Sequence, residues 1–284
     1  KRLSKTVIFL ILISAILGSS LFYLPSLGMI TSGSASIVAW IVLFVFATVL
    51  MLYIGELVTL HPTSGGTYEF CKRAYGRFGS FIAGWMIWIA GNFGMALGLV
   101  AAAQYFLPGD YPQMLIVHMI FVGVWILVLN YMAYRGTDAG ATMLVAFGIL
   151  ALFAVTAMTL PSFIDLPELF RGGLASPFDI SLLKPFFQHE GMGILMYLGL
   201  TLFFISEAFF GFEAVSYMAN EAEEPKKLHL LLIKAMVLCG AITILYLFSS
   251  LGTVQYHDYV TDVRPFAVQA LNTMGETGQT IVVF

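Results

Sequence analysis

Residues 6–30 read TVIFLILISAILGSSLFYLPSLGMI, an uncharged run preceded by Lys1, Arg2 and Lys5. About 20 predominantly apolar residues cross the hydrocarbon core of a bilayer as a helix, so this run is long enough to span. Its centre is nevertheless a poor helix. Gly18, Ser19 and Ser20 fall there and Pro25 follows. Glycine and serine are weak helix formers, and proline removes an N–H and crowds the preceding turn. A basic start followed by an apolar run imitates a secretory leader, but the run exceeds a leader's apolar core of roughly 7–15 residues. We read it as a first membrane helix with a weak point at mid-depth. Two explanations fit: a kink where small residues pack against a neighbour, or an interruption that exposes backbone groups.

The rest of the chain repeats this alternation of apolar run and polar punctuation. Of its 284 residues, 60% are hydrophobic and 10% charged, with a mean hydropathy of +0.91. A soluble domain carries roughly 45–50% apolar and about 25% charged residues. That composition excludes a water-soluble fold, and a net charge of −3 gives no reason to expect a nucleic-acid partner. Cys71 and Cys239 are too few for a disulfide framework or a metal centre, and no metal or cofactor is expected. Spans are predicted near 6–30, 35–60, 80–106, 113–133, 139–160, 192–220 and 229–252, with an eighth starting near 277 and cut off by the end of the chain at Phe284. The alternating ten-residue strands of a membrane barrel are absent, which leaves helices as the spanning form. The expected fold is thus an all-α polytopic membrane protein, one transmembrane domain over residues 1–284.

Orientation follows from lysine and arginine. With the N-terminus inside, the inner segments hold Lys1, Arg2, Lys5, Lys72, Arg73, Arg77, Arg135, Lys226, Lys227 and Lys234, whereas the outer segments hold Arg171, Lys184 and Arg264. This asymmetry obeys the positive-inside rule. It predicts a multi-pass protein of the plasma membrane with a cytoplasmic N-terminus, inner loops at 61–79 and 221–228, and an outer connection at 161–191.

The sixth span carries Glu207 and Glu213 on either side of Gly211, inside an otherwise uncharged run from Gly191 to Asn220. With 1.5 Å of rise per residue, Glu207 lies ~2–3 Å from the bilayer centre and Glu213 ~11–12 Å inward. An acidic side chain at that depth costs on the order of 2.5–3.5 kcal/mol, so the pair is expected to face a cavity, a partner or a ligand rather than lipid. Carboxyls hydrogen-bonded within the bundle are the alternative. The first and sixth spans are therefore weak at the same depth, which is the pattern of inverted-repeat transporters whose broken helices meet at the midplane. On that plan the first repeat covers 6–160 and a partial second repeat 192–284. Half-helix N-termini suit a carboxylate and unwound carbonyls suit a cation, so an amino acid or related amine fits such a pair of ends.

Five motifs then resemble one family. Leu17-Gly18-Ser19-Ser20-Leu21-Phe22-Tyr23-Leu24-Pro25 is similar to the I-G-S-G-I-F-x-x-P signature of the amino acid–polyamine–organocation permeases. Gly55-Glu56-Leu57 with Pro62-Thr63-Ser64-Gly65-Gly66-Thr67-Tyr68, then Gly84-Trp85, Gly211-Phe212-Glu213, and Glu221 with Glu224-Pro225-Lys226-Lys227 resemble its later landmarks in order. Gly91-Asn92 with Met95 is most similar to basic amino-acid exchangers of the arginine–agmatine type.

The resemblance implies an inverted-repeat fold of five plus five helices with helices 1 and 6 broken, and a permease or antiporter rather than an enzyme. It also implies a site. The N–H groups of Ser19 and Ser20, beside Gly18, would hold the substrate carboxylate. Carbonyls of Ile16, Glu207 and Phe210 would take the ammonium, with Gly211 letting the chain unwind. Asn92 would touch the substrate side chain, Phe209 would pack over it, and Glu213 matches an acidic position suited to proton coupling. Two positions depart from the family pattern. Ser20 replaces a glycine, and Glu207 stands where relatives carry an aromatic or apolar residue, so its side chain would select a cationic substrate or titrate. Some proton-driven relatives carry a lysine where this chain has Ala151. Exchange, a carboxyl-based proton mechanism (H+) or sodium (Na+) therefore remain open as coupling modes. Neutral amino-acid symport and a non-transporting sensor remain open too, as does a homodimer. His118, on the fourth span without a second ligand nearby, reads as a packed histidine.

Overall fold

The computed structural model of the chain describes residues 3–18, 20–63, 65–107, 112–164, 177–188, 190–209, 211, 214–217, 219, 222–223, 227–262 and 264–283. Helix α1 (Lys5–Leu17) starts at Ser4, whose hydroxyl accepts the Val7 N–H, and stops at Gly18, where φ is 39°. A 3-10 turn (Ser20–Phe22) leads into α2 (Leu24–Ser32). Pro25 sits in the first turn of α2, where its missing N–H has no partner to lose. The first apolar run is therefore two short helices separated at mid-length.

Helix α3 (Ser36–Leu60) follows as one unbroken span. Helix α4 (Gly66–Phe106) contains a corner at Gly76, with φ 74° and ψ −167°, so residues 66–75 form a separate helical arm before the long span begins. The sequence predicts an inner loop over 61–79, and the structure has helix over most of it. Helices α5 (Leu115–Tyr134) and α6 (Thr137–Phe163) complete the N-terminal part. Helix α7 (Met192–Ile205) then ends in a 3-10 turn (Ser206–Phe209), and a single turn of helix, α8 (Ala214–Tyr217), lies beyond it. The α-helical bonding thus lapses after Ile205, a few residues before Gly211, where the chain is expected to unwind.

Helices α9 (Leu228–Leu251), α10 (Tyr256–Thr261) and α11 (Pro265–Val283) close the described chain. The segment holding the expected start of the eighth span begins earlier, at Pro265, and turns a corner at Gly275 with φ 72° and ψ −170°. Among the described residues five helical stretches are long and apolar enough to cross a membrane: Leu24–Leu60, Gly66–Phe106, Leu115–Tyr134, Asp138–Phe163 and Leu228–Leu251. The interrupted runs contribute the shorter apolar helices Lys5–Leu17 and Met192–Ala208. The architecture is that of an all-α, multi-pass membrane protein.

The core sits around α9, where Leu232, Ala235, Met236, Cys239 and Tyr246 are fully buried. Helix α3 packs on it with the Phe44 ring lying over Gly240, where any side chain would collide. Helix α6 approaches α1 closely at Gly148, since a Cβ there would stand 2.7 Å from the Leu10 carbonyl oxygen. The outward faces are the reverse of a soluble protein's: Phe46 is 60% exposed, Leu127 71% and Phe153 70%. Apolar surface on this scale needs a lipid environment. Helix α5 lies at the periphery, with His118 buried and its Nε2 2.8 Å from the Leu107 carbonyl oxygen.

The N-terminal arm of α11 is fastened into the bundle. Gln269, fully buried, donates through Nε2 to the Met158 carbonyl and to the hydroxyls of Ser162 and Ser249. Asn272 donates to the Thr253 carbonyl, and Tyr259 of α10 shares a 2.6 Å hydrogen bond with Ser250. Burial pushes the Tyr259 phenol well above its ordinary range, so it stays protonated as a hydrogen-bonding partner.

Candidate functional site

Both interruptions exist because helical backbone bonding cannot continue through them, and they lie against each other. A Cβ added to Gly211 would stand 3.6 Å from the Ala15 carbonyl oxygen, so the second interruption passes beside the last turn of α1. Gly211 has φ 102°, a conformation in which a side chain would be strained. A second contact joins the two: the Tyr23 hydroxyl donates to Glu207 Oε1 over 2.6 Å. Tyr23 is the residue just before α2, and Glu207 lies in the 3-10 turn after α7. Both side chains are partly buried. The Glu207 carboxyl therefore has a protein partner.

The first interruption is held from behind. Phe22 stacks on Phe266 at 4.6 Å, Phe266 stacks on Tyr246 at 4.6 Å, and Tyr105 meets Phe22 edge-on at 5.9 Å. Tyr105, buried on α4, donates its hydroxyl to the Phe22 carbonyl at 2.8 Å and accepts the Phe266 N–H at 3.3 Å. One phenol thus satisfies a carbonyl released by the interruption and an N–H at the start of α11.

Beside Gly18 opens a cavity of about 680 Å3. It lies between the first interruption and helices α4, α6 and α11, and small residues such as Ala101, Ala102, Ala151 and Ala154 leave the room. Its volume falls within the roughly 300–1,000 Å3 typical of small-molecule pockets. Ser14 and Gly18 reach its wall from the first span, and Ala151 forms part of the wall on α6.

The predicted site residues divide into three groups. Gly18 lines the cavity, Ile16 is buried two residues before it, Ser20 opens the 3-10 turn, and Glu207 and Gly211 adjoin the first span. Asn92 stands apart: it is exposed on α4 and its amide donates to the Trp88 carbonyl of its own helix at 2.7 Å. Ser19, Phe210 and Glu213 lie outside the described residues, as does the side chain of Phe209, whose backbone ends the 3-10 turn. Tyr23 and Tyr105 were not foreseen from sequence. An aromatic within an apolar run looks like ordinary lipid-facing or core surface. For Tyr23, the one available signal was a phenol at the depth of an unexplained glutamate.

A family model described as amino acid permease matches residues 3–284. The chain is 25% identical over 296 residues to the arginine/ornithine antiporter ArcD2 of Lactococcus lactis, covering 96% of this chain and 58% of that protein. It is 24% identical over 230 residues to the amino-acid permease RocC of Bacillus subtilis, covering 78% of this chain and 46% of the relative. A probable GABA permease of Pseudomonas aeruginosa is 23% identical over 218 residues, with 76% and 44% covered. The chain spans about half the length of these relatives.

Proposed function

Because the chain belongs to the amino acid permease family, we propose that it is part of a secondary active transporter, a permease or exchanger moving amino acids across the plasma membrane by alternating access. The observation that carries this is the meeting of two interrupted spans, at Gly211 beside Ala15 and at Tyr23 bonded to Glu207. Backbone released at such a meeting supplies N–H groups for a carboxylate and carbonyls for an ammonium. The substrate carboxylate is taken to lie at Gly18, Ser19 and Ser20. Its ammonium would lie at the carbonyls of Ile16, Glu207 and Phe210, with Gly211 permitting the unwinding and Phe209 toward the side chain; Asn92, exposed and bonded to the Trp88 carbonyl, is left out of this site.

An inverted repeat with a cytoplasmic N-terminus is part of this reading, and a repeated local device supports it. In the first part an interrupted span, an unbroken span and a helical arm lead to Gly76; in the last part the same order leads to Gly275. The corners share their backbone angles, φ 74° and ψ −167° against φ 72° and ψ −170°. At each, the preceding side chain (Tyr75 or Met274) lies over a glycine three residues after the corner (Gly79 or Gly278).

Uptake and exchange of a panel of labelled amino acids into proteoliposomes, under imposed H+ and Na+ gradients, tests the proposal. Counterflow of an amino acid supports it. A protein that binds amino acids without moving them would be a sensor using the same pocket. Gradient dependence separates exchange from proton coupling through Glu213 or Glu207 and from sodium coupling.

A further inference from the structure

The Tyr23–Glu207 bond determines what chemistry the second interruption can offer a ligand. In the observed direction the phenol is the donor and the carboxylate the acceptor. Tyrosine has a single O–H, and an ionised carboxylate has none. Once that proton is engaged, the phenol oxygen and the two carboxylate oxygens present lone pairs alone to anything that approaches. Neither group has another hydrogen-bond partner among the described residues. Both stay partly accessible, at the depth where the two interruptions meet.

We infer that Tyr23 and Glu207 together form the side-chain subsite for a cationic amino acid, with Glu207 supplying charge and Tyr23 aiming the carboxylate and adding its own oxygen as an acceptor. This rests on the transport reading above and names its substrate class. A surface made of acceptors and bearing a negative charge matches a primary ammonium, which has three donors and no acceptor. An alkyl side chain gains nothing there, an amide can offer its two N–H donors but no charge, and a carboxylate would bring oxygens against oxygens. Tyr23 is thus a specificity-determining residue. It also ties the subsite to both interruptions at once, since it stands at the start of α2 and its partner in the turn after α7.

Lysine and norleucine separate this from a purely structural latch, because they share a carbon chain and differ by the terminal ammonium. Binding of each is measured on the full-length protein, as wild type, Tyr23→Phe, Glu207→Gln and the double variant. A charge-assisted hydrogen bond is worth roughly ten- to a hundredfold in affinity, so Glu207→Gln is expected to weaken lysine by that factor. Tyr23→Phe is expected to weaken lysine by about tenfold, with norleucine changing less than about threefold in either. Because the two act as one unit, the double variant should be no worse than Glu207→Gln. Retained norleucine binding reports an intact site in every variant. Equal losses for both amino acids, additive losses, or a wild type that binds norleucine as well as lysine would overturn the subsite while leaving amino-acid transport standing. Binding of no amino acid at all would remove the transport reading and the subsite with it.

Discussion

The two ends of the chain, residues 5–106 and 192–283, run through the same series of backbone events and furnish them differently. Each has an interrupted apolar run, then an unbroken span (α3 with 25 residues, α9 with 24), then a helical arm turned by a glycine. At the first interruption the released backbone is backed by scaffold: a buried phenol, three stacked rings and a cavity wall. At the second, the notable group is a side chain, Glu207, tied across by Tyr23. The first interruption is thus a place for backbone chemistry that must be held rigid, and the second a place where side-chain chemistry can vary. Energy follows the same division. Groups buried behind the first cost more to orphan than groups left partly in contact with solvent at the second.

The largest effect expected from this contrast is on binding. Ser20→Pro deletes an N–H at the first interruption and restricts φ, and it should abolish amino-acid binding, a loss of roughly a hundredfold or more. Unchanged affinity in a titration would mean the carboxylate is held elsewhere and would erase the distinction between the two ends. Next in size is Tyr105→Phe, which orphans the part-buried Phe22 carbonyl and the buried Phe266 N–H. Denaturation of the purified protein should show a destabilisation of about 1–3 kcal/mol for each orphaned group.

Alanine at the corners sharpens the comparison from another side. Gly76 and Gly275 have open space around a would-be Cβ, so the cost of Gly76→Ala or Gly275→Ala is backbone strain alone. Each should destabilise by about 1–3 kcal/mol, and by similar amounts, when measured by the same denaturation. A clear inequality would show that the corners carry different loads and weaken the case for a repeat. The smallest stability effect should come from Tyr23→Phe, about 0.5–1.5 kcal/mol, because its partner remains partly solvated. A loss larger than that of Tyr105→Phe would reverse the contrast drawn here.

The apolar runs were readable because membrane insertion acts on composition over some twenty residues, a local and additive property. The weak centre at Gly18–Ser20 was readable for the same reason: glycine, serine and a following proline are local helix breakers. The helical arms were not. Residues 66–75 and 265–274 carry polar groups among apolar ones, and Gly76 or Gly275 in a string is one glycine among 27. Nothing in a string tells a glycine at positive φ from one in a helix.

By itself, then, the sequence determined that this is an all-α membrane protein, with weak helix formers at the centre of its first apolar run and two acidic residues inside its sixth. Hydrophobicity and helix propensity are properties of segments, so they survive without any knowledge of neighbours. Only the tertiary structure decided which groups those residues meet. Tyr23 faces Glu207 across 184 positions of chain, Tyr105 ties Phe22 to Phe266, and Asn92 bonds to its own helix away from the cavity. A hydrogen bond depends on tenths of an ångström and on direction, and that geometry exists only once the helices have packed.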